Sequence, residues 1–310
     1  MKKTFILFGL MLLLAACNPT VSQEAVEKIL HEQLGVPTSI EISAPELEGD
    51  FYKVTLKSEG QEQALYLTKD LKRVITQMID LDEMKKEQEA AQKAQQIAAE
   101  QAAAELTKSN KPQVELFVMS HCPYGTQIEK GILPVLDLLG DKIDFELKFC
   151  DYAMHGEVEL TEQLVQYCVQ KNQPEKLQAY LGCFLRAGEG AQCVTEVALD
   201  AAQLATCIDT TDQEYQVMAN FADQSTWKGS YPTFNVYAED NAKYGIQGSP
   251  SLVINGKNVN ASRSSQSLLD LICAGFENAP EECSTELETA VPAPGFGFDG
   301  TGAATDASCG

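Results

Sequence analysis

One cysteine at the start of a predicted helix constrains this chain more than any other feature. Residues 114–119 are apolar enough to predict a buried strand, and residues 123–139 have the spacing of an amphipathic helix. Cys122 lies between them, which places its thiol at the N-terminus of the helix. The helix dipole and the free backbone N–H groups at such a position stabilise a thiolate over a thiol. The pattern therefore predicts a nucleophilic cysteine at one edge of a sheet.

A second strand is predicted at residues 143–149, where apolar and polar residues alternate. A right-handed crossover through the helix would set this strand parallel to the first and beside it. Both strands then end at the same edge of the sheet. Cys150, at the end of the second strand, is therefore expected near Cys122.

A hairpin and a terminal helix complete the predicted domain. The strand at residues 251–254 leads into an Asn-Gly turn and a short return strand, and a helix follows at 265–276. Together with Cys122 and its flanking elements, this order resembles the thioredoxin-like proteins. The resemblance implies a cis bond between Ser249 and Pro250 that presents the Ser249 backbone to substrate, whereas a trans proline starting an edge strand is the alternative.

Residues 151–228 are mostly helical in pattern, and this insertion resembles those of DsbA-like proteins and lysosomal thiol reductases. His155, Glu159 and Cys168 fall at the spacing of the thiol-reductase signature. The resemblance implies kinship but not reductase activity, and we expect a structural role for His155. The signature's remaining Cys and Asn positions hold other residues here: Ala153, Met154, Leu160 and Gln163.

The chain departs from these families at the second active-site cysteine. The usual C-x-x-C motif reads Cys122-Pro123-Tyr124-Gly125. A lone thiol can attack a disulfide and be released by another substrate thiol, which is isomerisation, whereas net oxidation or reduction needs a second thiol. Cys150 is the candidate for that thiol, unless it belongs to a fixed disulfide or is buried and free. His121 would favour the thiolate when protonated, unless its ring is simply exposed.

The first residues predict export. Residues 1–16 combine a basic start with an apolar run that is too short to span a bilayer. The sequence Leu-Ala-Ala before Cys17 resembles the lipobox of bacterial lipoproteins, which implies acylation of Cys17; a cleaved signal with a chance cysteine is the alternative. We expect a protein of the cell envelope, anchored to a membrane by lipid and facing the periplasm or the exterior.

Residues 17–81 predict a small α+β domain. A helix between Ser22 and Gly35 precedes three short strand patterns. Segments 49–54 and 65–71 resemble the N-terminal dimerisation domain of the DsbC-type disulfide isomerases. The resemblance implies a homodimer, whereas a module that only holds the catalytic domain off the membrane is the alternative.

A helical linker and a tail flank the thioredoxin-like domain, which is expected at residues 111–285. Residues 82–107 contain no Gly or Pro and predict one continuous helix of about 39 Å within the linker, 82–110. Its lack of an apolar face favours an exposed spacer over a coiled coil. The tail, 286–310, is rich in Gly, Ala and Pro and is expected to be disordered, with Cys309 next to its end.

Ten cysteines in an exported chain indicate a disulfide framework. Lipidation of Cys17 would leave an odd number, so at least one thiol is free, reactive or paired between molecules. Cys273–Cys283 is the strongest predicted bridge and Cys183–Cys193 a weaker one. Neither a metal nor a cofactor is expected, because no C-x-x-C pair or close His/Cys cluster exists in the sequence. The pairing of the others stays open: Cys168, Cys207 and Cys309.

The composition bears on partners. Acidic residues outnumber basic ones 45 to 23, which repels phosphate backbones, so we expect no nucleic-acid partner.

The fold class is α/β, a thioredoxin-like domain with a helical insertion, joined by a long helix to a small α+β domain. The expected function is that of a thiol–disulfide oxidoreductase or disulfide isomerase, with cysteine-containing exported clients and a thiol or disulfide electron-transfer partner. The alternative is a non-catalytic binding or chaperone lipoprotein.

Overall fold

The computed structural model describes residues 21–298 apart from Glu59, Gln77 and Met78. The chain divides into two compact units, Met1–Gln88 and Glu89–Gly310. The predicted signal segment, Cys17 and Cys309 lie outside the described residues. Among the helices that are described, none is both long and apolar enough to cross a membrane.

The first unit is one helix on an antiparallel sheet. Helix α1 begins after Ser22, whose hydroxyl accepts a hydrogen bond from the Ala25 amide, and it ends at Gly35 in the left-handed conformation, as predicted. The sheet has the order β1-β3-β4-β5, with β2 also paired to β3. The elements are α1 (Gln23–Leu34), β1 (Glu41–Ile42), β2 (Glu46–Glu48), β3 (Phe51–Ser58), β4 (Gln61–Thr68) and β5 (Val74–Ile75).

The core of this unit follows the predicted periodicity. Val26 and Leu30 of α1 are fully buried against Val54 and Leu67, which alternate with outward-facing residues along β3 and β4. Leu34, in the last turn of α1, is exposed. The resemblance of this unit to an isomerase dimerisation domain stays a prediction.

The predicted linker helix is α2 (Leu81–Ala104). It ends before the predicted boundary, and the residues that follow belong to the second unit. Leu106 is buried in the core of that unit, and the Ser109 amide donates to the Gly275 carbonyl. The helix is thus shorter than the predicted linker, because the last residues of that linker pack in the core of the second unit and hydrogen-bond to its backbone.

The second unit is built on a sheet of order β7-β6-β8-β9. Strands β6 and β7 are parallel and joined through α3, whereas β8 and β9 form an antiparallel hairpin beside β6. Helix α10 packs against α3 on one side of the sheet. This is the thioredoxin-like topology that the sequence predicts. The elements are β6 (Gln113–Val118), α3 (Pro123–Leu139), β7 (Asp144–Phe149), β8 (Ser251–Ile254), β9 (Lys257–Val259) and α10 (Ser265–Ala274).

Helices fill the segment between β7 and β8, as expected for an insertion. Two disulfides fasten them, Cys168–Cys207 between α4 and α7 and Cys183–Cys193 between α5 and α6, and Cys273–Cys283 closes the chain after α10. Both predicted bridges are confirmed. The helices are α4 (Glu157–Asn172), α5 (Leu177–Ala187), α6 (Gly190–Glu196), α7 (Ala201–Tyr215), α8 (Val217–Ala222) and α9 (Ala238–Tyr244).

The prediction of a disordered tail is wrong for residues 286–298. The Leu287 amide donates to the Gln266 side chain at 2.6 Å, and the Gly295 amide donates to the Pro123 carbonyl at 3.0 Å. Gly295 is buried. The Gly, Ala and Pro content indicated disorder. The segment forms neither helix nor strand, but backbone N–H groups in it donate hydrogen bonds to the rest of the domain.

Candidate active site at Cys122

Cys122 is the N-cap residue of α3, as predicted. Its backbone is extended, its amide donates to the Met119 carbonyl at 3.0 Å, and its carbonyl accepts from the Thr126 amide at 2.9 Å. Pro123 occupies the first helical position, where a missing N–H costs no helical hydrogen bond. The side chain of Cys122 is fully buried, and its sulfur is part of a disulfide.

The loop before β8 lies against this cysteine. The Ser249–Pro250 peptide bond is cis, as predicted. The Sγ atom of Cys122 lies 3.7 Å from the Ser249 carbonyl oxygen, and the Ser249 hydroxyl accepts a hydrogen bond from the Met119 amide at 2.9 Å. Ser249 therefore ties this loop to the end of β6, directly before the cysteine.

Gly125 stands where the C-x-x-C motif has its second cysteine, and the structure leaves no space for a side chain there. A Cβ atom on Gly125 would lie 2.8 Å from the Met119 carbonyl oxygen and 2.8 Å from the Ser249 Oγ. Both distances are shorter than real Cβ contacts. The Ser249 hydroxyl thus occupies the region that a second active-site cysteine would need.

Cys150 ends at the same edge of the sheet as Cys122. Val118 pairs with Phe149 in the parallel register, and the Cys150 amide donates to the Val118 carbonyl at 3.0 Å. The two cysteines share an apolar cluster. Cys150 is a free thiol and fully buried; burial, followed by the nearby carboxylates of Glu159 and Asp151, raises its pKa far above the usual value. A resolving role for Cys150 stays a prediction, and its burial opposes that role.

Glu159 connects the segments that follow the two strands. Its buried carboxylate accepts hydrogen bonds from the amides of His121, Met154 and His155, at 3.2, 2.7 and 3.1 Å. The His155 ring also lies 2.8 Å from this carboxylate through Nδ1. The structural role that we expect for His155 stays a prediction, and this contact supports it.

His121 is packed among aromatic rings. Its imidazole lies edge-on to Phe184 and Phe296, with ring centroids 5.6 and 5.7 Å away. Burial lowers its pKa, and nearby His155 lowers it further, although Glu159 opposes the shift. The lowered pKa favours a neutral His121 ring near pH 7. This environment therefore opposes the predicted stabilisation of the Cys122 thiolate by a protonated imidazole.

An open pocket of about 550 Å³ lies beside His121. Val158 and Thr161 of α4 contribute one part of its lining, and Gly188 and Ala191 contribute another. Within residues 21–298, leaving aside the three that are not described, no group of three or more His, Cys, Asp and Glu side chains is arranged to hold a metal ion.

The sequence analysis did not predict three features of the site. They are the position of the Ser249 hydroxyl beside Gly125, the hydrogen bonds of Glu159 to three backbone amides, and the hydrogen bond from Gly295 to Pro123. A signal for the first was present. Glycine is a poor helix former, and Gly125 in the first turn of a predicted helix indicates a close approach by another segment. The partners of Glu159 and of the tail are distant in sequence, and no local pattern reveals them.

Comparison with known proteins identifies residues 1–18 as a prokaryotic membrane lipoprotein lipid attachment site. No curated protein matches the chain. Solved structures similar to it include BdbD from Bacillus subtilis, at 14% identity over 58% of this chain and 92% of that one, with a TM-score of 0.37.

Two further structures are similar at the same level. DsbA from Mycobacterium tuberculosis matches at 14% identity over 58% of this chain and 94% of its own, with a TM-score of 0.41. A thioredoxin-like oxidoreductase from Silicibacter pomeroyi matches at 20% identity over 54% and 88%, with a TM-score of 0.35. Similarity at this level carries no argument about activity, and the fold rests on the strand order and the active-site geometry. The chain is a lipid-anchored protein of the cell envelope whose second unit has a thioredoxin-like fold.

Proposed function

We propose that this lipoprotein is a thiol–disulfide oxidoreductase or disulfide isomerase that acts on exported proteins through Cys122. One observation carries the proposal: Cys122 begins α3 while its sulfur lies 3.7 Å from the carbonyl of Ser249, the residue before the cis proline. The thiol is thus held between a helix N-terminus and a loop whose backbone can contact an extended substrate. Both features serve disulfide exchange.

The helix supplies the reactivity. The unpaired N–H groups of the first turn stabilise negative charge on sulfur, and the thiolate is the form that attacks a disulfide. In this attack a bond forms between Cys122 and one client sulfur, the client S–S bond breaks, and the other client sulfur leaves as a thiolate. A different client thiolate then attacks the mixed disulfide and releases Cys122, so the client disulfide is rearranged without net oxidation.

A turnover assay on a scrambled-disulfide protein tests this function. The full-length lipoprotein in detergent is expected to restore the native pairing, and Cys122→Ser is expected to lower the rate by more than about 100-fold, or about 2.7 kcal/mol of barrier. The matched variant is Ser284→Ala, which changes an exposed residue after α10 and is expected to keep the wild-type rate. Equal turnover by wild type and Cys122→Ser would contradict the proposal.

The second candidate is a non-catalytic binding or chaperone lipoprotein. The observation that favours it is the lack of space at Gly125, because net redox chemistry cannot use the usual second position. Such a protein would suppress aggregation of an unfolded client equally well with Cys122 or Cys122→Ser. A light-scattering assay on both proteins, run beside the turnover assay, separates the two candidates.

We also propose that residues 21–81 form a homodimer, on the resemblance of this segment to isomerase dimerisation domains. Two Cys122 sites would then serve one client. Sedimentation of the lipoprotein in detergent is expected to show a dimer, and a chain lacking residues 18–81 is expected to be monomeric. A full chain that stays monomeric at high concentration contradicts this.

A further inference from the structure

We propose that the pocket beside Tyr124 is a subsite for a carboxylate of the client, and that Arg263 selects clients with an acidic residue close to the cysteine they present. The inference deepens the proposed function and rests on it for its catalytic meaning, whereas the binding of a carboxylate does not. It comes from a guanidinium that is fixed beside the candidate nucleophile and has no carboxylate partner in the described part of the chain.

The pocket opens beside the first turn of α3. It has a volume of about 330 Å³ and is lined by α3 on one side and by the loop between β9 and α10 on another. Tyr124, which is 42% exposed, belongs to this lining and stands two residues after Cys122. The pocket is therefore within reach of residues that flank a client cysteine. Its other polar lining residues are Gln127, Asn260, Ser262 and Arg263.

Arg263 is a half-buried cation without a counter-ion. Among the residues that the structure describes, no Asp or Glu forms an ion pair with it, although acidic residues outnumber basic ones 45 to 23. Burial lowers the pKa of its guanidinium, and Tyr124 opposes the shift. Removing a charge from water is costly unless a charge of opposite sign compensates it, so this position favours an external anion.

The guanidinium uses only part of its hydrogen-bonding capacity within the protein. Its Nη1 atom donates to the side-chain oxygen of Gln127 at 3.0 Å, and its Cζ atom lies 4.9 Å from the centre of the Tyr124 ring. The buried Nε atom has no hydrogen-bond partner among the described residues. Because a guanidinium carries five N–H donors, donors remain for a ligand.

The backbone that carries Arg263 is fixed against α3. A Cβ atom on Gly131 would lie 2.1 Å from the Arg263 carbonyl oxygen, so the loop packs on the helix at a residue without a side chain. Ser264 is the N-cap of α10, and its hydroxyl accepts a hydrogen bond from the first turn of that helix at 3.3 Å. Gln127 also donates to the Pro292 carbonyl at 2.6 Å. The guanidinium is thus positioned before a ligand arrives, which reduces the entropy lost on binding.

The surroundings of the guanidinium favour a carboxylate on a polypeptide. A guanidinium and a carboxylate form two parallel hydrogen bonds, and Asp and Glu are the anionic side chains of an unmodified client. Tyr124 and Val291 line the same pocket and are 42% and 49% exposed, so they offer apolar surface to the neighbours of that carboxylate. The pocket therefore fits an acidic side chain within an extended segment.

The other flank of Cys122 has the opposite charge. Glu157 and Glu162 line the pocket beside His121. Burial raises the pKa of Glu162 to about 7, so its charge adds to that of Glu157 mainly above neutral pH. An acidic client side chain is repelled on this flank and attracted by Arg263 on the other. The two pockets together would select one direction of the client chain across the site.

A disulfide-exchange assay on peptides measures this preference. Short blocked peptides carry one cysteine, held as a disulfide with 2-thiopyridine, and a Glu or a Gln at each other position in turn. The Cys122 thiolate attacks the peptide sulfur, the bond between that sulfur and thiopyridine breaks, and pyridine-2-thione is released and detected by its absorbance. The reduced full-length lipoprotein in detergent is used, and the rate of Cys122→Ser is subtracted.

We expect the Glu peptide to react about fivefold faster than the matched Gln peptide for at least one position at physiological salt, the size of effect that a partly exposed ion pair gives. Arg263→Gln is expected to bring this ratio to about one, and Arg263→Lys to retain part of it because the charge remains. The control is Arg186→Gln, which removes an exposed arginine already paired with Glu196 and should keep the wild-type ratio. Equal rates for Glu and Gln at every position, or an unchanged ratio in Arg263→Gln, overturn the inference.

A binding measurement lets the two proposals fail separately. The same peptides with Ser in place of the cysteine are labelled, and their affinity is measured by fluorescence anisotropy. If the Glu peptide binds more tightly through Arg263 while Cys122→Ser turns over scrambled clients as fast as wild type, the proposed function fails and this subsite stands. If Cys122→Ser abolishes turnover while Glu and Gln peptides bind and react equally, the proposed function stands and this inference fails.

Discussion

The ends of two neighbouring strands, at Cys122 and at Cys150, differ in chemistry although they lie at one edge of the same sheet. Both cysteines are fully buried and share an apolar cluster with Phe117 and Val253. After Cys122 the chain enters a helix, so the sulfur lies at a helix N-terminus. After Cys150 it enters a loop with carboxylates nearby, which add to burial in raising the pKa of the thiol. Burial is common to the two cysteines, so the sites differ in the residues that follow each strand: a helix N-terminus at Cys122 and nearby carboxylates at Cys150.

The largest expected effect concerns the residue that connects the two regions. Glu159→Ala leaves three backbone amides, one beside Cys122 and two beyond Cys150, without their acceptor. An unsatisfied buried donor costs about 1–3 kcal/mol, and these three amides are partly buried, so we expect the free energy of unfolding to fall by about 3 kcal/mol. Denaturant titration measures it. Glu157→Ala, which changes an exposed carboxylate on the same helix, is the control and should cost less than about 1 kcal/mol.

A smaller effect is expected at Gly125, where only the Cys122 region is crowded. Gly125→Ala places a methyl group 2.8 Å from the Met119 carbonyl, which should lower the free energy of unfolding by about 1–3 kcal/mol. Gly182→Ala on α5 meets no atom within 4 Å and should be neutral or stabilising by up to about 1 kcal/mol. Thermal unfolding of both variants checks the contrast. A neutral Gly125→Ala would mean that the loop before β8 yields easily.

Ser249→Ala refines this result, because it removes one of the two atoms that crowd Gly125. In the double variant with Gly125→Ala we expect partial recovery of stability, since the Met119 carbonyl remains. The single variant Ser249→Ala should lose about 1 kcal/mol through the unpaired Met119 amide. Full additivity of the two changes would show that the side chains do not share one space.

The smallest effect is expected at His121. Burial lowers its pKa below the usual value, so the ring is neutral at and above pH 7 and contributes no positive charge to the Cys122 thiolate. His121→Phe keeps a ring against Phe184 and should move the midpoint of the pH dependence of Cys122 alkylation by less than about half a pH unit. A rise of a unit or more would mean that a protonated imidazole stabilises the thiolate.

Sequence patterns predicted those parts of the fold that depend on residues close together in the chain. Strand, cysteine and helix follow from periodicity, and the bridges Cys183–Cys193 and Cys273–Cys283 each close a short loop. Cys168–Cys207 joins two helices without such a loop, and it could not be chosen from spacing alone.

The rest of the site depends on contacts between distant segments. The Lys130 ammonium donates to the Gly295 carbonyl at 2.8 Å, yet residues 286–298 have a composition typical of disorder. The crowding at Gly125 comes from Ser249, which lies on the far side of the helical insertion in sequence. The lysine contact leaves no local signal, and Gly125 indicates a close approach without identifying Ser249 as the residue that approaches.

The most direct test of the comparison is the rate at which each cysteine is alkylated in the folded protein. The full-length lipoprotein is reduced gently, treated with iodoacetamide at pH 7, and digested for peptide mass spectrometry. We expect Cys122 to react faster than a free-cysteine peptide and at least about 100-fold faster than Cys150, because a raised pKa lowers the thiolate fraction tenfold per unit. Denaturant should make the two rates equal. Modification of Cys150 in the folded protein at the rate of Cys122, or a Cys122 no faster than the peptide, would contradict the assignment of Cys122 as the reactive thiol.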